Sequence, residues 1–282
     1  MKSMILAAGL GTRLRPLTDT RPKALVEING RTLLEITIDR LRTFGVTEVI
    51  INVHHFADMV IDYLNANNNF GMRIEISRED DLLLDTGGGL KKAAWFFLQD
   101  SAAIDQPFLL HNVDVISRID FHQMIRYHTE NGALATLAVQ SRESSRQLLF
   151  TNHLQLSGRR INNQDTLITP LHPATNSSSP NTVSSSESGN PSYQPPSSSP
   201  LADPHPRLIP LAFSGIHVIS PRLLPMLTET GVFSIIDSYL RLASQGEKIL
   251  ALRHDHSYWR DLGKPADLAQ AAIELQKSPP PS

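Results

Sequence analysis

The residues best equipped for chemistry lie near the amino end, in Leu6-Ala7-Ala8-Gly9-Leu10-Gly11-Thr12-Arg13-Leu14-Arg15-Pro16-Leu17-Thr18, with Pro22-Lys23 just beyond. An apolar run entering two closely spaced glycines lets the backbone bend tightly, and its N–H groups can approach phosphate oxygens with no Cβ in the way. Thr12 adds a hydroxyl donor, and Arg13, Arg15 and Lys23 supply the positive charge that a triphosphate needs. A dinucleotide-binding turn shares this strand context but wants a third glycine at position 14, where the chain carries Leu14.

A second cluster, Asp85-Thr86-Gly87-Gly88-Gly89, precedes the helical run Leu90 to Phe97. Three glycines ahead of a helix would let a backbone lie flat against a planar base or a phosphate, next to the unpaired N–H donors of the helix start. The neighbouring Glu79-Asp80-Asp81 reads as a solvated loop. Asp114 follows the predicted strand Phe108 to His111 at its carboxyl end, where ligands of parallel α/β sheets collect. Asp261 ends a late predicted strand and is followed by Gly263; taken singly, either aspartate would be a cap or a turn residue. The histidines, including the pair His54-His55, show no His-Glu-x-x-His spacing, and there is no Gly-x-Ser-x-Gly elbow.

Leu-Ala-Ala-Gly-x-Gly-Thr-Arg-Leu-x-Pro-Leu-Thr followed after three residues by Pro-Lys resembles the signature of the sugar-1-phosphate nucleotidyltransferases at every position. The likeness runs from residue 1 to about 150 and resumes near Leu211. It implies a doubly wound, mixed and mostly parallel α/β sheet of the Rossmann-like, nucleotide-diphospho-sugar transferase type. It further implies a nucleotide site at Leu6, Ala7, Ala8, Gly9, Gly11, Thr12 and Asn112, with Arg13 opposing charge on the departing β- and γ-phosphates and Lys23 contacting the α-phosphate. Asp114 and Asp261, matching Asn-x-Asp and Trp-x-Asp-x-Gly, become ligands for Mg2+, a hard cation that takes one or two carboxylates with phosphate and water.

The Thr-Gly-Gly-Gly segment is similar to the branch that uses N-acetylmuramate 1-phosphate and UTP. By that likeness Thr86, Gly87 and Gly88 recognise uracil, and the reaction belongs to cell-wall recycling. Phe213-Ser214-Gly215-Ile216-His217 resembles the segment lining the sugar-phosphate pocket, which assigns Ser214 and Gly215 to the acceptor. Two departures stand out: Val113 replaces a small residue, and the Glu-Lys-Pro triplet whose lysine holds the sugar phosphate is missing, leaving Arg159, Arg160 or Arg207 to replace it. The alternatives are a guanylyltransferase acting on mannose or heptose 1-phosphate, and a module that binds nucleotide sugar without turnover.

These residues need a scaffold, and the 282-residue chain is long enough to bury a substantial core. Short apolar runs at Met4 to Ala8, Glu48 to Val53, Arg73 to Ser77, Phe108 to His111 and Ala133 to Val139 alternate with helical stripes such as Leu34, Ile38 and Leu41, as in βαβ units. From Asn162 to Pro206 the text turns to Ser, Pro, Asn and Thr, and this stretch reads as a disordered insertion. It separates a nucleotide-binding part, 1–156, from a sugar-phosphate and carboxyl-terminal part, 207–277, of a single domain. In the latter, strands are expected at Leu211 to Ile219, Lys248 to Arg253 and Tyr258 to Asp261. Helices are expected after Ser220-Pro221, from Ser234 to Gly246, and from Pro265 to Gln276.

A formal net charge of -2 argues against a surface-wide interaction with nucleic acid or an anionic membrane, and the absence of cysteine excludes disulfides and thiolate catalysis. No apolar run approaches the length of a membrane span, and Met4 to Ala8 is too short for a secretory core, so a cytoplasmic location is expected. Composition leaves the oligomeric state open.

Overall fold

The computed structural model describes residues 1–99, 105–168 and 208–277. β1 (Lys2–Leu6) is followed by a short hairpin, β2 (Glu27–Ile28) and β3 (Arg31–Thr32), then α1 (Leu33–Thr43), β4 (Glu48–Val53), α2 (Ala57–Ala66) and β5 (Arg73–Arg78). Next come α3 (Asp85–Lys92), α4 (Ala94–Leu98), β6 (Phe108–Asn112), β7 (Val115–Ser117), α5 (Phe121–Glu130) and β8 (Ala135–Gln140). β9 (Arg146–Phe150), β10 (Leu156–Ile161) and β11 (Gln164–Leu167) form a meander. The described chain ends with β12 (Ile209–Ile219), α6 (Ile235–Ser244), β13 (Ile249–Arg253), β14 (Trp259–Asp261) and α7 (Pro265–Lys277).

β5, β4, β1 and β6 lie side by side in parallel and carry the amino-terminal half of a ten-stranded mixed sheet. Both faces of the inner strands β4, β1 and β6 are covered, which is why they read as largely apolar runs, whereas the edge strand β5 alternates apolar and polar residues. Met4, Ile50 and Leu110 point toward α3, α4 and α6 and pack with Phe96, Phe97 and Tyr239. Their chain neighbours Ile5, Ile51 and Leu109 point the other way, into a second core with Leu41 of α1, Val60 of α2, Met124 of α5 and Leu268 of α7. The period-two alternation of the strands thus feeds two helical layers.

β12 joins the two halves. It runs antiparallel to β6, β8 and β9, and its register slips between Phe213 and His217. Gly215 sits in that slip at φ 74, and a Cβ there would come within 2.9 Å of the Asn112 amide. Only glycine combines that left-handed backbone with that approach. Through this bend the strand leaves β6 for β9 and opens the sheet beside the end of β6.

Several expected boundaries move. β1 stops at Leu6 because the Ala7 N–H leaves the ladder and donates to Asn52 Oδ1 at 2.8 Å. The segment after Ser220-Pro221 is a 3-10 helix, Pro221–Met226, with Pro225 inside it. The first residues of the Ser/Pro-rich stretch are ordered: Asn162 and Asn163 adopt φ 48 and 65, the conformation of a tight hairpin turn, and β11 pairs with β10. The rest of that stretch, and Ser278 to Ser282, lie outside the described residues.

Four histidines are buried and held neutral. Burial lowers His111 to about 4 and His217, which faces the Tyr239 hydroxyl, to about 3. His128 and His254 fall to about 4 for the same first reason. His128 Nδ1 lies 3.0 Å from Thr136 Oγ1 and Nε2 lies 2.9 Å from Ser220 Oγ, whose proton goes to the Ala133 carbonyl. Nε2 therefore carries the hydrogen. Because the unfolded chain binds these protons near pH 6.5 and the fold does not, their contribution to stability is complete above that pH and is lost as pH falls toward 4. Urea titrations should show unfolding free energy dropping through this window, with His128→Gln reducing the slope by up to about 1.4 kcal/mol per pH unit. An unaltered slope in that variant would show that His128 does not drive the loss.

Candidate active site

The carboxyl ends of β1, β4 and β6 meet at a cavity of about 370 Å³. Its floor is Leu6, Ala7, Ala8 and Gly9 from β1 and the turn after it, together with Asn52, Asn112, Val113 and Asp114 from the neighbouring strand ends. Leu83, Asp85, Thr86 and Val232 form the opposite wall, and Lys23 reaches in from the side. The turn closes on itself through Thr18 Oγ1, which donates to the Gly11 carbonyl at 2.8 Å, and buried Leu14 anchors its 3-10 segment, Thr12–Leu14. This leaves Gly9, Thr12 and Arg13 exposed.

The two aspartates converge. β14 pairs with β7, the strand that follows Asp114, so that Asp261 lies opposite Val115. The Leu262 N–H also donates to the Asp114 carbonyl at 2.8 Å. Burial raises the Asp261 pKa first and the Asp114 charge adds to it, while Lys23 and Arg13 act in the opposite direction. Lys23 forms an ion pair with Asp114, and the Arg13 guanidinium packs against Gly263, where a Cβ would collide with it. Gly263 N donates to Asp261 Oδ1 at 2.7 Å, which holds that carboxylate in place. Two carboxylates and two cations, separated by as much as 248 positions between Arg13 and Asp261 (261 − 13), thus share one local field.

Oxygen donors of this kind suit a hard divalent cation. Among the described residues there is no cluster of three or more His, Cys, Asp or Glu side chains able to hold a metal unaided. Two carboxylates whose like charges oppose each other match a cation whose remaining ligands come from phosphate and water.

Other expected site residues stand elsewhere. The glycines do not precede the helix: α3 begins at Asp85, so Gly87, Gly88 and Gly89 lie within it. Glycine costs about 1 kcal/mol in a helix relative to alanine, and the space it leaves is used here. A Cβ on Gly87 would strike the Phe233 ring, and one on Gly88 would come within 2.6 Å of the Gly231 carbonyl. The Gly87 and Gly88 N–H groups both donate to the Phe233 carbonyl, at 2.9 and 3.3 Å, so the structure turns these two residues toward the loop before α6 and not to the cavity. Thr86 does line the cavity, with its hydroxyl accepting from Ile235 N at 3.0 Å. Ser214 is fully buried; its Oγ lies 2.8 Å from His254 Nε2 and its carbonyl accepts from the Trp259 indole at 2.7 Å, so it braces β14 from behind.

A second cavity, about 500 Å³, is lined in part by Phe213, just before the β12 bend. Arg146, Gln147, Arg159, Phe213, Ser234 and Asp237 are among its lining residues. Phe213 stands two residues from Gly215, and Ser234 stands two residues from Val232 of the first cavity. Arg159 pairs with Asp237 at 2.6 Å and Arg160 grips Asp165 at 2.6 and 2.9 Å, while Arg207 lies outside the described residues. Sequence reasoning passes over Arg146 and Arg142. Arg142 stacks on Trp259 with its guanidinium 4.1 Å from the ring centre and donates to the Phe213 carbonyl at 2.8 Å. No linear motif surrounds either residue.

Among the described residues no helix is long and apolar enough to cross a membrane. An N-acetylmuramate alpha-1-phosphate uridylyltransferase of Caulobacter vibrioides is 52% identical over 93 residues, covering 32% of this chain and 38% of that protein. A mannose-1-phosphate guanyltransferase of Emericella nidulans is 36% identical over 140 residues, covering 49% of this chain and 37% of that protein. The chain thus matches under two fifths of the length of either relative. In three dimensions it is similar to a putative glucose-1-phosphate thymidylyltransferase from Bacillus anthracis, with TM-score 0.70, 16% identity and coverage of 100% of this chain and 97% of the other. That likeness establishes the nucleotide-diphospho-sugar transferase fold. Residues 2–148, more than half of the chain, match the family model described as nucleotidyl transferase, and the protein belongs to that family.

Proposed function

We propose that the protein joins a nucleoside triphosphate to a sugar 1-phosphate and releases pyrophosphate, with UTP and N-acetylmuramate 1-phosphate as substrates and Mg2+ as cofactor. The observation that carries this reading is the convergence of Arg13, Lys23, Asp114 and Asp261 beside the cavity at the carboxyl edge of the parallel strands. In this reading residues 1–156 receive the nucleotide, 207–277 contribute to the acceptor side, and the reaction takes place in the cytoplasm.

The acceptor's phosphate oxygen is already an anion, so no side chain has to remove a proton from it. It attacks the α-phosphorus in line, the bond to the β-phosphate oxygen breaks, and the electron pair leaves with pyrophosphate. The protein's task is to align the two phosphates and oppose their charge. Lys23 faces the α-phosphate, and Arg13, packed on Gly263 at the rim, faces the β- and γ-oxygens where charge accumulates on departure. Asp114 and Asp261 would hold Mg2+, which when bound neutralises phosphate oxygens as a Lewis acid.

The second cavity supports an acceptor bearing a further anionic group. N-Acetylmuramate has a lactyl carboxylate that mannose and heptose lack. Arg146 lines this cavity with no ion-pair partner among the described residues, and Arg159 adds a guanidinium there. A guanidinium fork suits a carboxylate.

Pyrophosphate release should appear with UTP, N-acetylmuramate 1-phosphate and Mg2+ in a panel of four nucleoside triphosphates and several sugar 1-phosphates. Binding without release across the whole panel would indicate a sensor, and preference for GTP would overturn the uridylyl assignment. Asp114→Asn should lower kcat about 10²- to 10³-fold while leaving the melting temperature within a few degrees; a near-normal rate would remove Asp114 from the metal site. Arg146→Ala should raise KM for N-acetylmuramate 1-phosphate roughly tenfold, the size of one charge-assisted hydrogen bond. The same variant should leave KM for N-acetylglucosamine 1-phosphate unchanged, and equal effects on both acceptors would contradict the carboxylate assignment.

A further inference from the structure

Glu79 is the one member of the Glu79-Asp80-Asp81 run that is not solvated. Asp80 faces outward and pairs with Arg78, whereas Glu79 is 1% exposed. One carboxylate oxygen, Oε1, accepts from Asn52 Nδ2 at 2.8 Å, and the other, Oε2, accepts from the backbone N–H of Leu84 at 2.9 Å. Asn52 in turn accepts the Ala7 N–H on its Oδ1 at 2.8 Å. At the backbone of Glu79, its N–H donates to the Val53 carbonyl at 2.8 Å, and its own carbonyl lies 2.5 Å from His54 Nδ1. A continuous polar bridge therefore runs from the end of β1 through the ends of β4 and β5 to the residue before α3.

Each end of this bridge holds one side of the cavity at the carboxyl edge of the parallel strands. Ala7 belongs to the floor, and Leu84 lies between Leu83 and Asp85 of the opposite wall. Thr86 of that wall is tied to Ile235 N, and the residues before it lean on the bridge. Asp85 has φ 60, a conformation that costs a non-glycine residue free energy, and the Leu84 carbonyl accepts from Phe233 N at a long 3.3 Å. The bridge also accounts for the third glycine of the run. A Cβ on Gly89 would stand 2.8 Å from both Asn52 Nδ2 and Glu79 Oε1, so that glycine leaves room for the bridge and is not among the residues lining the cavity.

We infer that Glu79 is a positioning residue for the nucleotide: by bridging Asn52 and the Leu84 N–H it sets the distance between the phosphate-binding turn and the wall that faces the base. The inference rests on the reading that the cavity at the carboxyl edge of the parallel strands takes the nucleoside triphosphate. Glu79 itself does not line the cavity. Its loss should widen the nucleotide's binding geometry without weakening the chemistry once the site is filled.

The hydrogen-bond pattern supplies a specific test. Glu79→Gln sets an amide against the Asn52 amide, two donors face to face, or else gives up the acceptor for Leu84. Combining Asn52→Asp with Glu79→Gln restores every bond. The carboxylate then placed at position 52 would accept from Ala7 and from the amide at position 79, whose carbonyl oxygen would accept from Leu84. In Glu79→Gln, KM for the preferred nucleoside triphosphate should rise roughly tenfold and its preference over the other three should shrink, with kcat and the acceptor KM within about threefold of wild type. Amide hydrogen exchange at Leu84 should accelerate at least about tenfold. The double variant should return Leu84 exchange to within about threefold of wild type.

Unchanged Leu84 exchange in Glu79→Gln would overturn the bridge whatever the protein's substrates are. An equal fall in kcat for all nucleotides, with KM unmoved, would reduce Glu79 to general scaffolding, and failure of Leu84 exchange to recover in the double variant would overturn the bridge. If the wild-type protein binds no nucleoside triphosphate by calorimetry, the reading of the cavity fails, and the positioning role fails with it. Altered Leu84 exchange would then still mark the bridge as real, so the two failures are distinguishable.

Discussion

Two carboxylates held close together in a half-buried setting repel each other, and a fold can keep them there only by surrounding them with fixed positive charge or by reserving the place for a cation. Asp114 and Asp261 are in this position. Burial and the neighbouring charge both favour the protonated form of Asp261, and Lys23 and Arg13 counter them. Much of the tertiary structure near the site serves to keep this quartet together. The β7–β14 ladder carries Asp261 to Asp114, the Trp259 indole fastens β14 to the Ser214 carbonyl, and Gly263 leaves room for Arg13.

The sheet assigns different work to its two halves. The parallel strands β5, β4, β1 and β6 end together on one edge, so that Ala7, Asn52 and Asn112 at the ends of three of them form a common floor. The antiparallel strands enter through β12, whose bend at Gly215 allows one strand to pair with β6 at one end and β9 at the other. The bend lies between Phe213, which lines the second cavity, and the pairing with β6, whose Asn112 lines the first.

Several polar groups buried near the site are engaged, and the engagement is directional. His254 and Trp259 use the two polar groups of Ser214, Asn52 and Glu79 connect three strand ends, and the Thr86 hydroxyl accepts from the start of α6. Such networks are costly when incomplete and specify geometry when complete. They explain why residues that carry no obvious chemistry cluster around those that do.

The linear sequence by itself determined the glycine-rich turn with its cations, the two aspartates and most of the strands and helices. These are local matters: glycines that free a backbone, cations that follow them, and apolar periods of two or near four depend on neighbours within a short stretch of chain. The ordered hairpin at Asn162 and Asn163 is hidden from composition, because the serines that follow dominate the stretch and mask two residues whose left-handed backbone makes the turn. What only the tertiary structure decided depends on partners far away in the chain. Glu79 reads as part of a solvated acidic run, yet it lies under the carboxyl edge because Asn52 and Leu84 meet there. Gly87 and Gly88 read as a ligand platform, yet the space that they leave belongs to Phe233 and Gly231. A side chain's role follows from what stands opposite it, and the pairing of β12 and β14 with distant strands sets that opposition here, beyond the reach of any local pattern.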